Sequence, residues 1–334
     1  MKTILTTTAL AVSLAVSSFV AYAADFKPAV AYDSAGKFDK SFNQAVFQNG
    51  ASKFAADTNM EVRDFVPTNG AQREQGLERL ARRGYNPIVA VGFMYGSALA
   101  KVAKKYPDSQ FVIIDSVVDL PNVKSLLFKE QEGSFLVGAL AALKSESKKV
   151  GFVGGMDIPL IRRFACGYEQ GAKYISKDAE VFQNMTGSTN AAWADPARGA
   201  ELAKSQFSKG ADVVFAAAGG TGIGVYQAAK DEGKYAIGVD SNQNHLHPGV
   251  MLTSMVKLVG VATYDVFKKA QAGEFTTGID VRGLKDNGVD WALDKDNRAL
   301  VTPAMEAEIN SIKAKIVAGE IKVHDYMTDS SCNY

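Results

Sequence analysis

Residues 212–240 have the sequence DVVFAAAGGTGIGVYQAAKDEGKYAIGVD, which places two short apolar runs around one amphipathic segment. The run Asp212–Ala216 predicts a buried strand, Gly222–Asp231 a helix and Tyr235–Val239 a second strand. Apolar strands of this length that alternate with helices indicate a parallel sheet covered on both faces. The stretch therefore predicts an α/β fold.

The same alternation of strands and helices extends outward from this unit in both directions. A first run begins with a strand at Pro28–Tyr32 and a helix at Ser41–Ala56, and a second run begins with a strand at Lys149–Val153. The tail adds a strand-like segment, Asp280–Leu284, and a helix, Ala304–Val317. A single open sheet of ten strands would be unusual, so the two runs predict two doubly wound, Rossmann-like lobes.

The chain is expected to cross between the lobes more than once. We assign residues 24–128 plus about 257–278 to an N-terminal lobe. Residues 129–256 plus about 279–334 form a C-terminal lobe in this assignment.

The composition excludes several classes of protein. The 334 residues include 37 Lys and Arg against 36 Asp and Glu, and 47% are hydrophobic. Disorder requires low hydrophobicity and high net charge, and a nucleic-acid binder or polybasic membrane-surface protein usually has a basic excess. We therefore expect a globular protein without a nucleic-acid partner.

The N-terminus is typical of a secretory signal peptide, residues 1–23. Lys2 is followed by an uncharged apolar run, Ile4–Val20, and then by Ala21-Tyr22-Ala23, a small-x-small cleavage pattern. No cysteine follows the predicted cleavage site, and no later stretch has the length of a spanning helix. We therefore expect a periplasmic protein that is not a lipoprotein and has no membrane anchor.

An exported compartment is oxidising, so the two cysteines of the chain could form a disulfide there. Cys166 lies in a predicted helix and Cys332 lies close to the chain end. Either they form a disulfide that holds the tail to the second lobe, or Cys166 is a buried free thiol and Cys332 is unattached.

Polar residues follow the predicted strands at their carboxyl ends, where open α/β sheets bind ligands. Asp33, Asp115 and Asp240 each follow an apolar strand, and Lys257 follows another. The three carboxylates could be acid and base groups, acceptors for ligand hydroxyls, or caps of the helices that follow.

A glycine-rich turn and two aromatic residues also lie at predicted strand or helix ends. Gly219 opens the run Gly219–Gly224, which suggests either close backbone approach to a ligand or a plain tight turn. Phe42 stands just inside a helix start beside Asn43, and Trp193 lies in a polar loop. One aromatic from each lobe would make a clamp for a flat ring.

Other motifs have plainer interpretations. His245 and His247 could bind a metal, but without a nearby third ligand a turn is the better interpretation, and we predict neither a metal site nor a cofactor. Arg162 and Arg163 are interpreted as a solvated helix face.

Several motifs, taken in order, closely resemble the basic membrane protein (BMP) family. They are Asp39-Lys40-Ser41-Phe42-Asn43-Gln44, Ile114-Asp115-Ser116, Gly154-Gly155-Met156-Asp157, Trp193-Ala194-Asp195-Pro196, Ala218-Gly219-Gly220-Thr221-Gly222 and Gly238-Val239-Asp240-Ser241-Asn242-Gln243. Family members are periplasmic or lipoprotein substrate-binding components of ABC transporters, and characterised ones bind nucleosides, mostly purine nucleosides. The resemblance implies a type I periplasmic-binding fold, with a hinge and a ligand cleft between the two lobes.

The resemblance also implies a role for each candidate residue. Asp33 and Asn43 would contact the base, and Phe42 and Trp193 would sandwich it. The ribose hydroxyls would be held by Asp115, Gly219, Asp240 and Lys257. Many members carry Phe where Trp193 stands, so the stacking surface is larger here.

Three hypotheses about function follow. The first is a monomeric, non-enzymatic binding protein that presents a nucleoside to an ABC transporter permease. The second is an exported nucleoside hydrolase that uses the three carboxylates. The third is a ligand sensor that uses the same cleft.

Overall fold

Residues 26–332, which a computed structural model describes, form two mostly parallel β-sheets flanked by helices. The predicted signal peptide lies outside the described residues. The strands are β1 Ala29–Ala31, β2 Arg63–Phe65, β3 Ile88–Ala90, β4 Phe111–Ile114, β5 Val123–Phe128, β6 Lys149–Met156, β7 Glu180–Gly187, β8 Val213–Ala217, β9 Tyr235–Asp240, β10 Met251–Lys257, β11 Gly278–Arg282 and β12 Val289–Trp291. The helices are α1 Phe42–Val46, α2 Lys53–Thr58, α3 Gln72–Arg82, α4 Gly96–Lys105, α5 Glu130–Lys144, α6 Pro159–Ile175, α7 Pro196–Ser208, α8 Gly222–Asp231, α9 Val259–Gln271 and α10 Pro303–Ala318.

The two sheets repeat one topology. The first has the strand order β11-β5-β4-β3-β1-β2, and the second has the order β12-β10-β9-β8-β6-β7. All neighbouring strands are parallel except β12, which runs antiparallel to β10. The prediction of an α/β protein with two doubly wound lobes is confirmed, and β4 and β9 occupy equivalent places in the two sheets.

Three segments of chain connect the lobes. They lie between β5 and α5, between β10 and α9, and between β11 and β12. Helix α5 packs against α6 of the second lobe so closely that a Cβ on Gly138 would lie 2.0 Å from the carbonyl oxygen of Tyr168. Helix α9 returns to the first lobe, where a Cβ on Gly260 would lie 2.2 Å from the carbonyl oxygen of Ala45.

The assignment of residues 279–334 to the second lobe differs from the sheet pairing at one strand. β11 pairs in parallel with β5, so the first sheet takes in residues up to Arg282. The antiparallel strand that completes the second sheet is the three-residue β12, which is too short to be recognised from periodicity. The domain boundaries themselves stay a prediction.

The helix predicted at Ser41–Ala56 is interrupted. Between α1 and α2 the backbone forms a π-helical turn, Phe47–Ser52, which carries an extra residue per turn. This turn packs directly on α9, since a Cβ on Gly50 would lie 3.0 Å from the carbonyl oxygen of Gly260. The irregular backbone at Phe47–Ser52 therefore lies where this segment packs tightly on α9.

Among residues 26–332, none of the helices combines the length and the apolar character that crossing a membrane requires.

Candidate functional site

A cavity of about 320 Å³ opens between the lobes at the carboxyl ends of the strands. All eight residues that the sequence nominated as ligand contacts line it. They are Asp33, Phe42, Asn43, Asp115, Trp193, Gly219, Asp240 and Lys257. Their roles toward a ligand stay predictions, but the structure brings them to one place.

Helix α1 begins at this cavity because Asp39 caps it. The carboxylate of Asp39 accepts hydrogen bonds from the backbone N–H groups of Ser41, Asn43 and Gln44, at 2.9–3.0 Å. These N–H groups have no partner inside the helix, so the cap fixes where it starts. Burial raises the pKa of Asp39 despite these bonds. The cap places Phe42 and Asn43 at the cavity wall.

Asp33, at the end of β1, is held by a partner that sequence reasoning missed. Its Oδ1 accepts a hydrogen bond from Arg73 at 2.8 Å, and Arg73 is only 6% exposed. The backbone N–H of Asp33 donates to the side-chain oxygen of Asn43 at 3.2 Å. Arg73 lies on α3, 40 residues from Asp33, so no local pattern connects the two.

Two glycines, Gly155 and Gly219, leave room for Trp193 of the second lobe to lie close to the backbone. Trp193 ends a short 3₁₀ helix, Asn190–Trp193. A Cβ on Gly155 would lie 2.1 Å from the Trp193 ring, so no larger residue fits beneath it. Gly219 has φ +56°, a left-handed conformation that favours glycine, and its missing Cβ would lie 3.5 Å from the Trp193 carbonyl oxygen.

A buried lysine lies at the centre of the charged end of the cavity. Lys257 Nζ is 2.6 and 2.7 Å from the two oxygens of Asp115 and 2.8 Å from Glu130. The side chain of Lys257 is 2% exposed. Burial alone would lower the pKa of Lys257, but the surrounding carboxylates of Asp115, Glu130 and Asp240 outweigh it and raise that pKa. Lys257 is therefore a fixed positive charge.

Asp115 and Asp240 occupy equivalent positions, after β4 and at the end of β9. Both have left-handed backbone conformations, with φ +65° and +63°. Such conformations are uncommon for non-glycine residues and cluster at functional sites. Burial raises the pKa of Asp115 to about 6 and that of Asp240 to about 7, although Lys257 opposes both shifts. Ser41 Oγ donates to Asp240 at 2.6 Å across the cleft.

The expectation of a solvated helix face at Arg162 and Arg163 is wrong for Arg163. Its guanidinium donates to Glu130 at 2.9 Å, to the carbonyl oxygen of Phe128 at 2.8 Å, and to both oxygens of Asp325. Its partners come from the lobe crossover and from the C-terminal tail. Because α6 packs beneath these segments, Arg163 is enclosed where a helix pattern suggested solvent. Arg162 does pair at the surface, with Asp157.

The C-terminal tail is joined to α6 by a disulfide between Cys166 and Cys332, whose Cα atoms are 5.6 Å apart. Gln170, also on α6, exchanges two hydrogen bonds with the backbone of His324. Of the two interpretations of the cysteines, the structure has the paired one.

Within the described part of the chain, no cluster of three or more His, Cys, Asp or Glu side chains is arranged to hold a metal ion. His245 lies in a short 3₁₀ helix, Asn244–Leu246.

Comparison with known proteins gives consistent matches along the chain. Residues 27–326 match the family described as ABC transporter substrate-binding protein PnrA-like. A CD4+ T-cell-stimulating antigen of Listeria monocytogenes is 34% identical, over 90% of this chain and 88% of that protein. The ABC transporter nucleoside-binding protein BmpA of Lactococcus lactis is 32% identical, over 87% of this chain and 88% of that protein.

A solved structure agrees with the fold. The ABC transporter solute-binding protein from Aeropyrum pernix superposes with a TM-score of 0.82 at 29% identity, covering 90% of this chain and 93% of its own. The predicted type I periplasmic-binding fold is confirmed by this likeness and by the two parallel sheets.

The expectation of a free periplasmic protein that is not a lipoprotein is wrong in the light of other relatives. A relative from Pyrococcus abyssi, 35% identical over 80% of this chain and 69% of its own length, is named an uncharacterized lipoprotein. A relative from Borrelia garinii, 34% identical over 85% of this chain and 84% of its own length, is named basic membrane protein A1. These names describe the first relative as a lipoprotein and the second as a membrane protein, and neither agrees with the expectation of a free periplasmic protein. The expectation depended on one observation, that no cysteine follows the predicted cleavage site. That site lies outside the described residues.

Proposed function

The chain belongs to the PnrA-like family of ABC transporter substrate-binding proteins, and from that premise we propose that it captures a nucleoside, with purine nucleosides favoured, and delivers it to the permease of an importer. In this proposal the protein acts as a monomer and carries out no chemical reaction on its ligand. The ligand lies between the two lobes and is released when they separate.

One observation carries this proposal: the same interlobe cavity is lined by an aromatic residue from each lobe, Phe42 and Trp193, and by the carboxylates of Asp115 and Asp240. A nucleobase has two flat apolar faces, which stack favourably on aromatic rings. A ribose has neighbouring hydroxyls that donate hydrogen bonds well to carboxylates. The cavity volume also lies at the lower end of the range for small-molecule sites.

The charges around the cavity support a neutral ligand. Four carboxylates, from Asp33, Asp39, Asp115 and Asp240, line it, whereas Lys257 is the one cation among its described lining residues. Lys257 is already bonded to Asp115 and Glu130. A phosphate group brought here would meet like charges without a free cation, which is costly in a buried site. A nucleoside is therefore expected to bind better than its nucleotide.

We assign the residues to roles within this proposal. Phe42 and Trp193 sandwich the base, and Asp33 and Asn43 contact its edge. Asp115, Gly219, Asp240 and Lys257 hold the ribose. The lobes hinge at the three connecting segments.

A nucleoside hydrolase is the competing function. The raised pKa of Asp240, about 7, is the property that a general acid needs. In the structure, however, Asp240 accepts a hydrogen bond from Ser41 and faces Lys257, an arrangement equally suited to holding a hydroxyl. Chromatography of a nucleoside incubated with the protein separates the two functions, because only an enzyme releases free base.

Mass spectrometry of small molecules released from the purified, denatured protein is the direct test of the proposal. We expect an intact nucleoside, without its phosphate and without cleavage of its glycosidic bond. A free base, a sugar or an amino acid recovered in its place would contradict the proposal.

A further inference from the structure

Glu130 is a buried acidic residue that lies behind the charged end of the ligand cavity. It is the first residue of α5, directly after the chain crosses from the first lobe, and it is fully enclosed. It does not line the cavity, and the sequence did not nominate it as a ligand contact. Its Oε1 is nevertheless 2.8 Å from Nζ of Lys257, which does line the cavity. Glu130 therefore contacts the ligand site through Lys257.

Lys257 is shared between Glu130 and Asp115. Its Nζ donates hydrogen bonds to both oxygens of Asp115, at 2.6 and 2.7 Å, and the same ammonium group contacts Glu130. Because both carboxylates meet one nitrogen, they lie close enough for each to disfavour the charge on the other. The positive charge of Lys257 is thus divided between a carboxylate that lines the cavity and one that does not.

Arg163 supplies a second positive charge on the far side of Glu130. Its guanidinium donates to Glu130 Oε2 at 2.9 Å and to the two oxygens of Asp325, at 2.7 and 2.8 Å. Charges of opposite sign therefore alternate in the order Asp115, Lys257, Glu130, Arg163, Asp325. Buried charges need such partners, so a change at one member of the row alters the balance at its neighbours.

The charges in this row act on Asp115 in opposite directions. Burial raises the pKa of Asp115 to about 6, Lys257 opposes that rise, Glu130 adds to it, and Arg163 opposes it. Loss of the Glu130 charge should therefore favour the ionised form of Asp115. Loss of the Arg163 charge should favour the protonated form.

Asp240 is the second carboxylate of the cavity that faces Lys257. Burial raises the pKa of Asp240 to about 7, Lys257 and the hydroxyl of Ser41 oppose the rise, and Asp39 and Asp115 add to it. Asp240 therefore ionises at a higher pH than Asp115, and it must be left unaltered when Asp115 is tested.

We propose that Glu130 and Arg163 are positioning residues of the ligand site, which act through Lys257 and determine the pH range in which Asp115 accepts a hydrogen bond from the ligand. This inference rests on the proposed function and extends it to residues outside the cavity. Glu130 takes up part of the positive charge that would otherwise stabilise ionised Asp115 alone. Arg163 limits this effect, because it neutralises Glu130 from the other side.

Calorimetry with one purine nucleoside tests the inference through the ratio of the affinity at pH 8 to the affinity at pH 5. A substitution that only loosens the site weakens binding at both pH values and largely cancels in this ratio. In Glu130→Gln the ratio should be about twofold or more smaller than in the unaltered protein, because Asp115 stays ionised to a lower pH. In Arg163→Gln the ratio should be about twofold or more larger, because Asp115 takes up its proton at a higher pH.

Asp325→Asn is the matched control. It removes the same charge as Glu130→Gln and also takes a partner from Arg163, but Asp325 contacts Arg163 rather than Lys257. Its affinity ratio should therefore match that of the unaltered protein. Thermal unfolding shows whether each variant folds. If Arg163→Gln does not fold, the comparison of Glu130→Gln with Asp325→Asn decides, and equal ratios in those two variants overturn the inference.

Two further results would overturn the inference while the proposed function stands. One is a nucleoside bound at pH 8 with the same affinity ratio in Glu130→Gln as in the unaltered protein. The other is a ratio that moves in the same direction in Glu130→Gln and Arg163→Gln, which would confine the two residues to holding the structure together. If the unaltered protein binds no purine nucleoside at pH 8, the proposed function fails and this inference fails with it.

Discussion

At the scale of the residue, the site combines apolar faces with a small number of enclosed charges. Lys257 is placed among Asp115, Glu130 and Asp240, so that its charge is balanced without solvent. Removing one member of such a group leaves an uncompensated buried charge, which is usually more costly than never having built the group. Burial raises the pKa of Asp115 to about 6 and that of Asp240 to about 7, and Lys257 keeps both from rising further.

Trp193 provides the first prediction at this scale. Trp193→Ala should weaken nucleoside binding by at least tenfold, because stacking on an aromatic ring contributes about 1–3 kcal/mol per base. Calorimetry measures the loss. Trp193→Phe keeps an aromatic face and should retain most of the affinity. Unchanged affinity in Trp193→Ala would remove this residue from the site.

The pH dependence of binding is a second prediction at this scale. Ligand hydroxyls donate to ionised carboxylates, so a bound ligand favours the deprotonated forms of Asp115 and Asp240. Without ligand these groups have pKa values of about 6 and about 7. Below those values each must lose a proton before the ligand binds, so affinity should fall as the pH decreases, by up to tenfold per unit for each group.

Titration calorimetry at pH 5 and pH 8 measures this effect. We expect at least tenfold weaker binding at pH 5. The step near pH 7 should be absent in Asp240→Asn, which cannot ionise there. Affinity that is level from pH 5 to pH 8 in the unaltered protein would show that the carboxylates do not receive ligand hydroxyls.

At the scale of the element, the backbone decides where the side chains can stand. The Asp39 cap sets the start of α1, and glycines at strand ends let a 3₁₀ helix lie against the second sheet. The disulfide and Arg163 hold the C-terminal tail against α6. The cap and the glycines position residues that line the cavity, and Arg163 bonds to Glu130, which contacts Lys257.

Gly155 provides a prediction at this scale. Gly155→Ala would place a Cβ 2.1 Å from the Trp193 ring, so the ring must move away from its present position. We expect affinity to fall by about tenfold while the protein stays folded, since a single overpacked methyl typically costs 1–3 kcal/mol. Calorimetry and thermal unfolding measure the two effects.

Gly187→Ala is the matched control for that substitution. A Cβ there would lie 3.7 Å from Ala192, an ordinary contact, so affinity should hardly change. Equal affinity in both glycine variants would mean that the position of Trp193 does not matter for binding.

The disulfide provides a further prediction at the scale of the element. Replacing both Cys166 and Cys332 by Ser should lower the free energy of unfolding by about 2–5 kcal/mol, because the bridge closes a long loop of chain. Denaturant unfolding measures the change. A reductant should destabilise the unaltered protein and leave the double variant unaffected. If the reductant affects neither protein, the bridge does not contribute to stability.

The residues that line the cavity could be predicted from the sequence, whereas the residues that hold them in place could not. Asp115 and Asp240 directly follow apolar strands, so their place at a sheet edge could be inferred from neighbouring residues alone. The residues that hold the site in place depend on tertiary contacts: Arg163 and Asp325 are 162 residues apart, and Arg73 on α3 bonds to Asp33, which follows β1. The residues next to an arginine in a helix do not show whether its side chain is enclosed or exposed to solvent, as the adjacent Arg162 and Arg163 illustrate.

The division between the lobes shows the same limit. Strand periodicity predicted the two runs of strands and helices, but which sheet receives β11 depends on its pairing with β5. Likewise, the π-helical turn at Phe47–Ser52 follows from packing against α9 and leaves no mark in the apolar spacing of the helix.

At the scale of the whole molecule, the lobes are held together across the cleft. Ser41 Oγ bonds to Asp240, Ser241 Oγ bonds to the backbone of Ser41 at 2.9 Å, and Gln243 bonds to the backbone of Lys40 at 2.7 Å. These contacts join loops on either side of the cavity. A ligand that bridges the lobes favours this closed arrangement through the contacts it makes only there.

The central claim is that this closed cavity selects a neutral nucleoside. Calorimetry with a purine nucleoside, its free base, its sugar and its 5′-monophosphate tests that claim most directly. We predict one nucleoside bound per chain, with the base, the sugar and the nucleotide each at least tenfold weaker. No heat of binding with any purine or pyrimidine nucleoside, or tighter binding of the monophosphate, would contradict the account.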